Sequence, residues 1–107
     1  MDKALGYLSL AAKAGKLVTG ADNCIESLRR GRAKLLILAS DASPNAVKRA
    51  EGMLFGRDIP LCRVRYPKEE LARAGGRNGP VALAAIEDDG LAKAFAGTVE
   101  SANQQEV

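Results

Sequence analysis

Asp22 and Asn23 stand side by side directly after Gly20-Ala21, where a helix would begin, and they carry the richest recognition chemistry in the sequence. A carboxylate accepts hydrogen bonds, whereas a carboxamide both donates and accepts. The pair therefore suits the N–H edge of guanine and the mixed edges of adenine. Glu26 follows one turn later, and Arg29 and Arg30 come a turn beyond that, so one helical face passes from base-reading groups to phosphate-neutralising ones. Between residues 13 and 34, Lys13, Lys16, Arg29, Arg30, Arg32 and Lys34 stand against only Asp22 and Glu26. The end of the chain is reversed, with Lys93 against Glu87, Asp88, Asp89, Glu100 and Glu106. Such an uneven distribution fits a face turned toward a polyanion, and equally a solvated charged surface.

Groups able to do covalent or acid–base work are missing. The chain has no histidine, so Cys24 and Cys62, each inside an apolar segment, cannot complete an ordinary zinc site. They read as reduced, buried thiols of a cytoplasmic protein. No serine or cysteine lies beside a plausible base, and no carboxylate pair sits in an apolar setting. Gly75-Gly76-Arg77-Asn78-Gly79 is glycine-rich, but it follows a helix and precedes a strand, the reverse of a phosphate-cradling loop. These residues imply no catalysis, no cofactor and no metal.

The elements that must position the polar pair follow from periodicity. Ala21 to Arg30 form helix two, with Cys24, Ile25 and Leu28 on its apolar face and Gly31 as its stop, because glycine takes the left-handed conformation without a Cβ penalty. Leu35 to Ala39 is too short and too uniformly apolar for a surface strand. It reads as a central strand covered on both faces, as in a parallel sheet. Ser43 then caps a third helix with Pro44 at its first position, running to about Phe55 and burying Val47, Ala50 and Leu54. A buried strand emptying into a capped helix is where α/β folds place binding sites. Before this block, Asp2 to Ala14 read as helix one, with Leu5, Leu8 and Ala12 inward, and Lys16 to Thr19 as an edge strand. After it come a strand over Ile59 to Val64, a fourth helix opening at Tyr66-Pro67 and ending by Ala74, a loop over Gly75 to Pro80, and a strand over Val81 to Ile86. Asp88 or Asp89 caps a last helix through Phe95.

This alternation within 107 residues predicts one α/β domain, a three-layer α/β/α sandwich around a small four-stranded sheet. The domain occupies residues 1–96, and the polar, aperiodic residues 97–107 read as a frayed C-terminal tail. The longest apolar run, Leu35 to Ala39, is far too short to span a bilayer, and the N-terminus lacks the pattern of a signal peptide. A cytoplasmic location and no membrane partner are expected.

The stretch LSLAAKAGKLVTGADNCIESLRRGRAKLLILASDASPN resembles the kink-turn RNA-binding ribosomal protein family, which includes archaeal large-subunit protein 7Ae and eukaryotic 30e. It is most similar to the short bacterial branch, YlxQ-like ribosome-associated proteins. The resemblance spans residues 4–95. It is carried by Ala14-Gly15-Lys16-Leu17-Val18-x-Gly20, Gly31-x-Ala33-Lys34-Leu35 and Ala39-Ser40-Asp41-Ala42-Ser43. It implies a mixed sheet, no catalysis, and recognition of structured RNA from the start of helix two. The positions concerned are Lys16, Gly20, Ala21, Asp22, Asn23 and Glu26, the basic cluster Arg29, Arg30 and Arg32, and, in the loop before the last strand, Gly76, Arg77 and Asn78. The match has departures. The family reads sheared G·A pairs with Gly-x-Asn-Glu and a lysine three positions on. Here the amide and carboxylate are exchanged, Glu26 holds the lysine position, and the apolar loop is polar over Gly76 to Pro80. The resemblance therefore implies a monomeric, ribosome-associated RNA-binding protein with no small-molecule substrate. The exchanged residues leave room for a protein-interaction module on the same fold that has lost tight kink-turn binding.

Overall fold

Leu35, Leu36, Ile37 and Leu38 are all buried, and their side chains alternate between two separate cores. Leu35 and Ile37 point into one and Leu36 and Leu38 into the other, because successive side chains of a strand leave on opposite faces. Residues 2–105 are described in the computed structural model, with side chains to Val99. In chain order the elements are α1 (Lys3–Lys13), β1 (Leu17–Thr19), α2 (Ala21–Arg29), β2 (Leu35–Leu38), α3 (Pro44–Leu54), β3 (Leu61–Arg63), α4 (Lys68–Ala74), β4 (Leu83–Ile86) and α5 (Asp89–Gln105). The sheet order is β1-β4-β2-β3. β4 runs antiparallel to both β1 and β2, and β2 runs parallel to β3.

The layers follow from the alternation. α2 and α3 close one face over Leu36, Leu38, Leu83 and Ala85. α1, α4 and α5 close the other over Leu35, Ile37, Ala84 and Ile86. The result is a three-layer α/β/α sandwich on a mixed sheet, in which β2 is central but parallel to only one neighbour. Its uniform apolarity reflects cover on both faces and not a parallel sheet, since the helices and not the strand directions exclude water.

Three expectations shift. α1 buries Ala4, Leu8 and Ala11, with Leu5 and Ala12 only partly covered, because it packs against both α4 and α5 and its inward arc turns toward them. α3 buries only Ala50 fully, with Val47 and Leu54 half-buried where the layer thins over edge strand β3. α5 continues to Gln105, past the end expected at Phe95, since Ala92, Phe95, Ala96 and Val99 extend one apolar stripe. Gly31 does end α2 with φ 70°, and Ser43 caps α3 by accepting from the Ala46 N–H at 3.1 Å. Neither cysteine forms a disulfide; Cys24 is buried as expected but Cys62, on edge strand β3, only half-buried, and burial, with the nearby Glu87 charge, pushes the Cys24 thiol up to about 12. Among the described residues no helix is long and apolar enough to cross a membrane.

Candidate functional site

Gly20 joins β1 to α2 with φ 92° and ψ 151°, a backbone that L side chains rarely adopt. Its N–H donates to Leu83 O at 2.9 Å, which fixes the start of α2 against the beginning of β4. Because Gly20 has no side chain to cap with, the first turn of α2 has no side-chain cap. The neighbouring helix starts differ. Asp2 accepts from Leu5 N–H, Ser43 from Ala46 N–H, and Asp88 from Leu91 N–H. Asp41, from the loop after β2, accepts from Lys68 N–H at the start of α4. Uncapped N–H groups at the positive end of a helix favour anionic or hydrogen-bond-accepting ligands.

An open cleft of about 580 Å³ lies beside this turn. Thr19, Gly20 and Ala21 form one wall, Ser43, Asn45, Ala46 and Arg49 of α3 a second, and residues 77–83 a third. The loop is held to β1 by Arg77. Its Nε donates to Thr19 Oγ1 at 3.2 Å, Nη2 to Leu17 O at 3.1 Å and Nη1 to Gly75 O at 3.4 Å. Asn23 Nδ2 donates to Thr19 O at 2.9 Å, which leaves the amide exposed on the first turn of α2. Arg49 Nη2 reaches Asp22 Oδ1 at 3.4 Å, an exposed ion pair worth little in stability.

The expected site residues thus divide. Gly20, Ala21, Arg77 and Asn78 line the cleft, with Gly76 in the same loop, and Asp22 and Asn23 lie beside it, touching its lining residues Arg49 and Thr19. Lys16, Arg29, Arg30 and Arg32 do not. α2 separates its two ends by about 13 Å at 1.5 Å per residue. Lys16 pairs in register with Glu87 and not with the Gly20 end, since Glu87 N–H donates to Lys16 O at 2.8 Å. Lys16, Arg32 and Lys34 line a second hollow of about 560 Å³, with Glu87 in its wall. Ser27 Oγ donates to Glu87 Oε2 at 2.6 Å. Glu26 lies between the two ends and accepts from Arg30 Nε at 2.7 Å, the i,i+4 spacing that makes such pairs on a helix.

Sequence reasoning missed Ser43, Asn45 and Arg49 as cleft residues. The capped start of α3 after a buried strand marked the region, but nothing in the order of residues pairs Arg49 with Asp22. Among the described residues, no cluster of histidine, cysteine and carboxylate groups could hold a metal.

Among the described residues, five helices and a four-stranded sheet form a small α/β/α sandwich with an open cleft at the uncapped start of α2. The chain belongs to the Ribosomal protein L7Ae/L30e/S12e/Gadd45 family, whose model matches residues 2–96, and within it to the YlxQ-like branch. It is 33% identical over 91 residues to "RNA-binding protein YlxQ" of Enterococcus faecium, covering 85% of each chain. To the protein of the same description from Bacillus subtilis (strain 168) it is 35% identical over 85 residues, covering 79% of this chain and 83% of that one. Among solved structures it is similar to a protein of unknown function from Bacillus halodurans C, with TM-score 0.84 and 29% identity over 94% of this chain and 99% of that one. The "Giardia lamblia 15.5kD RNA binding protein" shares the fold, with TM-score 0.74 and 24% identity over 94% of this chain and 84% of that one.

Proposed function

We propose that this protein is a non-catalytic, cytoplasmic, monomeric RNA-binding protein that recognises structured, kink-turn-like RNA, associates with ribosomes, and takes no small-molecule substrate. The observation that carries the reading is the cleft that Gly20 and Ala21 form with Arg49 and the Arg77-pinned loop at the uncapped start of α2, with Asp22 and Asn23 exposed on the adjoining first turn. Family membership and the RNA-binding descriptions of the bacterial relatives support it. Asp22 and Asn23 are the base readers, with Arg49 and Arg77 beside them. Arg29 and Arg32, at the other end of α2, attract the phosphate backbone without selecting sequence.

Glu26 favours a second reading, a protein-interaction module that no longer grips a kink-turn. A carboxylate at this point of the helix repels a phosphate, although its pairing with Arg30 offsets part of that charge. Crosslinking to RNA in the native cell, followed by sequencing, separates the two. Enrichment of one structured ribosomal segment supports the first, and recovery of no RNA above background overturns it. In vitro, retention of a labelled kink-turn RNA should fall steeply as salt rises, because phosphate contacts release counterions.

A further inference from the structure

The chain has two phenylalanines with opposite fates: Phe95 is fully buried, whereas Phe55 is 90% exposed. An isolated exposed apolar residue is ordinary, but Phe55 is neither isolated nor loosely held. It follows α3, its N–H donating to Gly52 O at 3.3 Å, and the next turn is closed by Arg57 N–H to Leu54 O at 2.9 Å. Arg57 Nη1 then donates to Leu28 O at 3.1 Å, fastening the turn to the last turn of α2. The ring is thereby presented at the mouth of a hollow of about 350 Å³ between the helices, lined by Ile25, Met53, Arg49 and Arg57. Gly52 leaves the floor without a side chain. Arg49, whose Nη2 reaches Asp22 Oδ1 at 3.4 Å, lines both this hollow and the cleft at the start of α2. Glu51, the acidic residue of α3, is paired with Arg63 at 3.1 Å. An exposed aromatic ring lining the same hollow as two guanidinium groups is a combination that can hold an unpaired nucleotide, with the base stacked and the phosphates neutralised.

We infer that the hollow between α2 and α3 takes an unpaired nucleotide of the bound RNA, its base stacked on Phe55 and its phosphates met by Arg49 and Arg57. The inference rests on the RNA-binding reading above. It adds a single-strand contact, indifferent to base identity, to recognition of the structured element in the cleft.

The test uses the full chain and two labelled RNAs: a blunt-ended kink-turn duplex, and the same duplex with six-nucleotide unpaired tails carrying 2-aminopurine. The tails should raise wild-type affinity about tenfold. Phe55→Ala should remove that gain while leaving the blunt duplex and the melting temperature unchanged, and Phe55→Tyr should retain it. Quenching of 2-aminopurine on binding should weaken in Phe55→Ala and persist in Phe55→Tyr. If wild type binds the blunt duplex but gains nothing from the tails, or if Phe55→Ala keeps the gain, the stacking site is overturned and the RNA reading stands. If wild type binds neither RNA at low salt, the RNA reading falls and this inference falls with it.

Discussion

The two ends of α2 differ in how their polar groups are held. At its start, Gly20 leaves the helix uncapped, Arg49 and Arg77 line a cleft, and each of Asp22, Asn23, Arg49 and Arg77 makes a hydrogen bond or ion pair. At its end, Arg29 and Arg32 are exposed beside Gly31, Lys34 Nζ reaches Gly31 O at 3.5 Å, and Arg57 caps Leu28 O. Cations there also complement the negative end of the helix dipole. Fixed groups in a concave site can discriminate, because a wrong partner leaves them unpaired. Exposed cations on long side chains attract any polyanion and select little. On the reading proposed above, charge and specificity occupy opposite ends of one short helix, and variants should separate them.

The largest effect should come from removing what both ends share. Leu36 is fully buried beneath α2, in one core with Cys24 and Leu28. Leu36→Ala should cost roughly 2–5 kcal/mol, the usual range for a buried leucine. A melting temperature lowered by only a degree or two would show that α2 does not depend on this strand.

Replacing Arg29, Arg30 and Arg32 together with glutamine should weaken binding of all RNAs alike and flatten its salt dependence, by up to about one unit of slope for each phosphate that is no longer neutralised. Arg30, already engaged by Glu26, should contribute least. A filter-binding titration with unchanged slope would remove this end of α2 from the interface.

Glu26→Lys sharpens the boundary between the ends. Affinity for a kink-turn RNA should rise at least tenfold, about 1.4 kcal/mol. An equal gain on an unkinked control would mean only added charge. A loss on the kink-turn would make Glu26 itself a reader.

The smallest effect lies in the opposite layer and serves as a control. Burial works to raise the Asp2 carboxyl, but hydrogen bonds from Leu5 N–H and the Tyr66 hydroxyl, together with the Arg65 charge, bring it below its ordinary value of 3.8. A depressed carboxyl contributes stability present above its unfolded value and lost as pH falls through the folded one. Acidification below that ordinary value of 3.8 should therefore loosen α1, read by hydrogen exchange, a step that Asp2→Asn abolishes.

Most of the fold was legible in the order of residues. Uniform apolarity marked β2 as covered on both faces, glycine marked the end of α2, and Ser43-Pro44 marked the start of α3. Each is a local signal, set by side-chain shape and backbone freedom over a few positions. The polar pair at the start of α2 was legible for the same reason. The site as a whole was not, because proximity in sequence and in space part company here. Lys16 and Gly20 are four positions apart but sit at opposite ends of the sheet, since β1 crosses it once between them and pairs antiparallel with β4. Arg49 and Arg77, distant in sequence, reach the start of α2 only because strand order β1-β4-β2-β3 places α3 and the loop before β4 beside it. The sequence by itself determined the order and type of the elements and the cover on both faces of β2, whereas the exact buried arc of α1 waited on its packing against α4 and α5. Which charged groups meet was decided by long-range strand pairing, which no local pattern encodes.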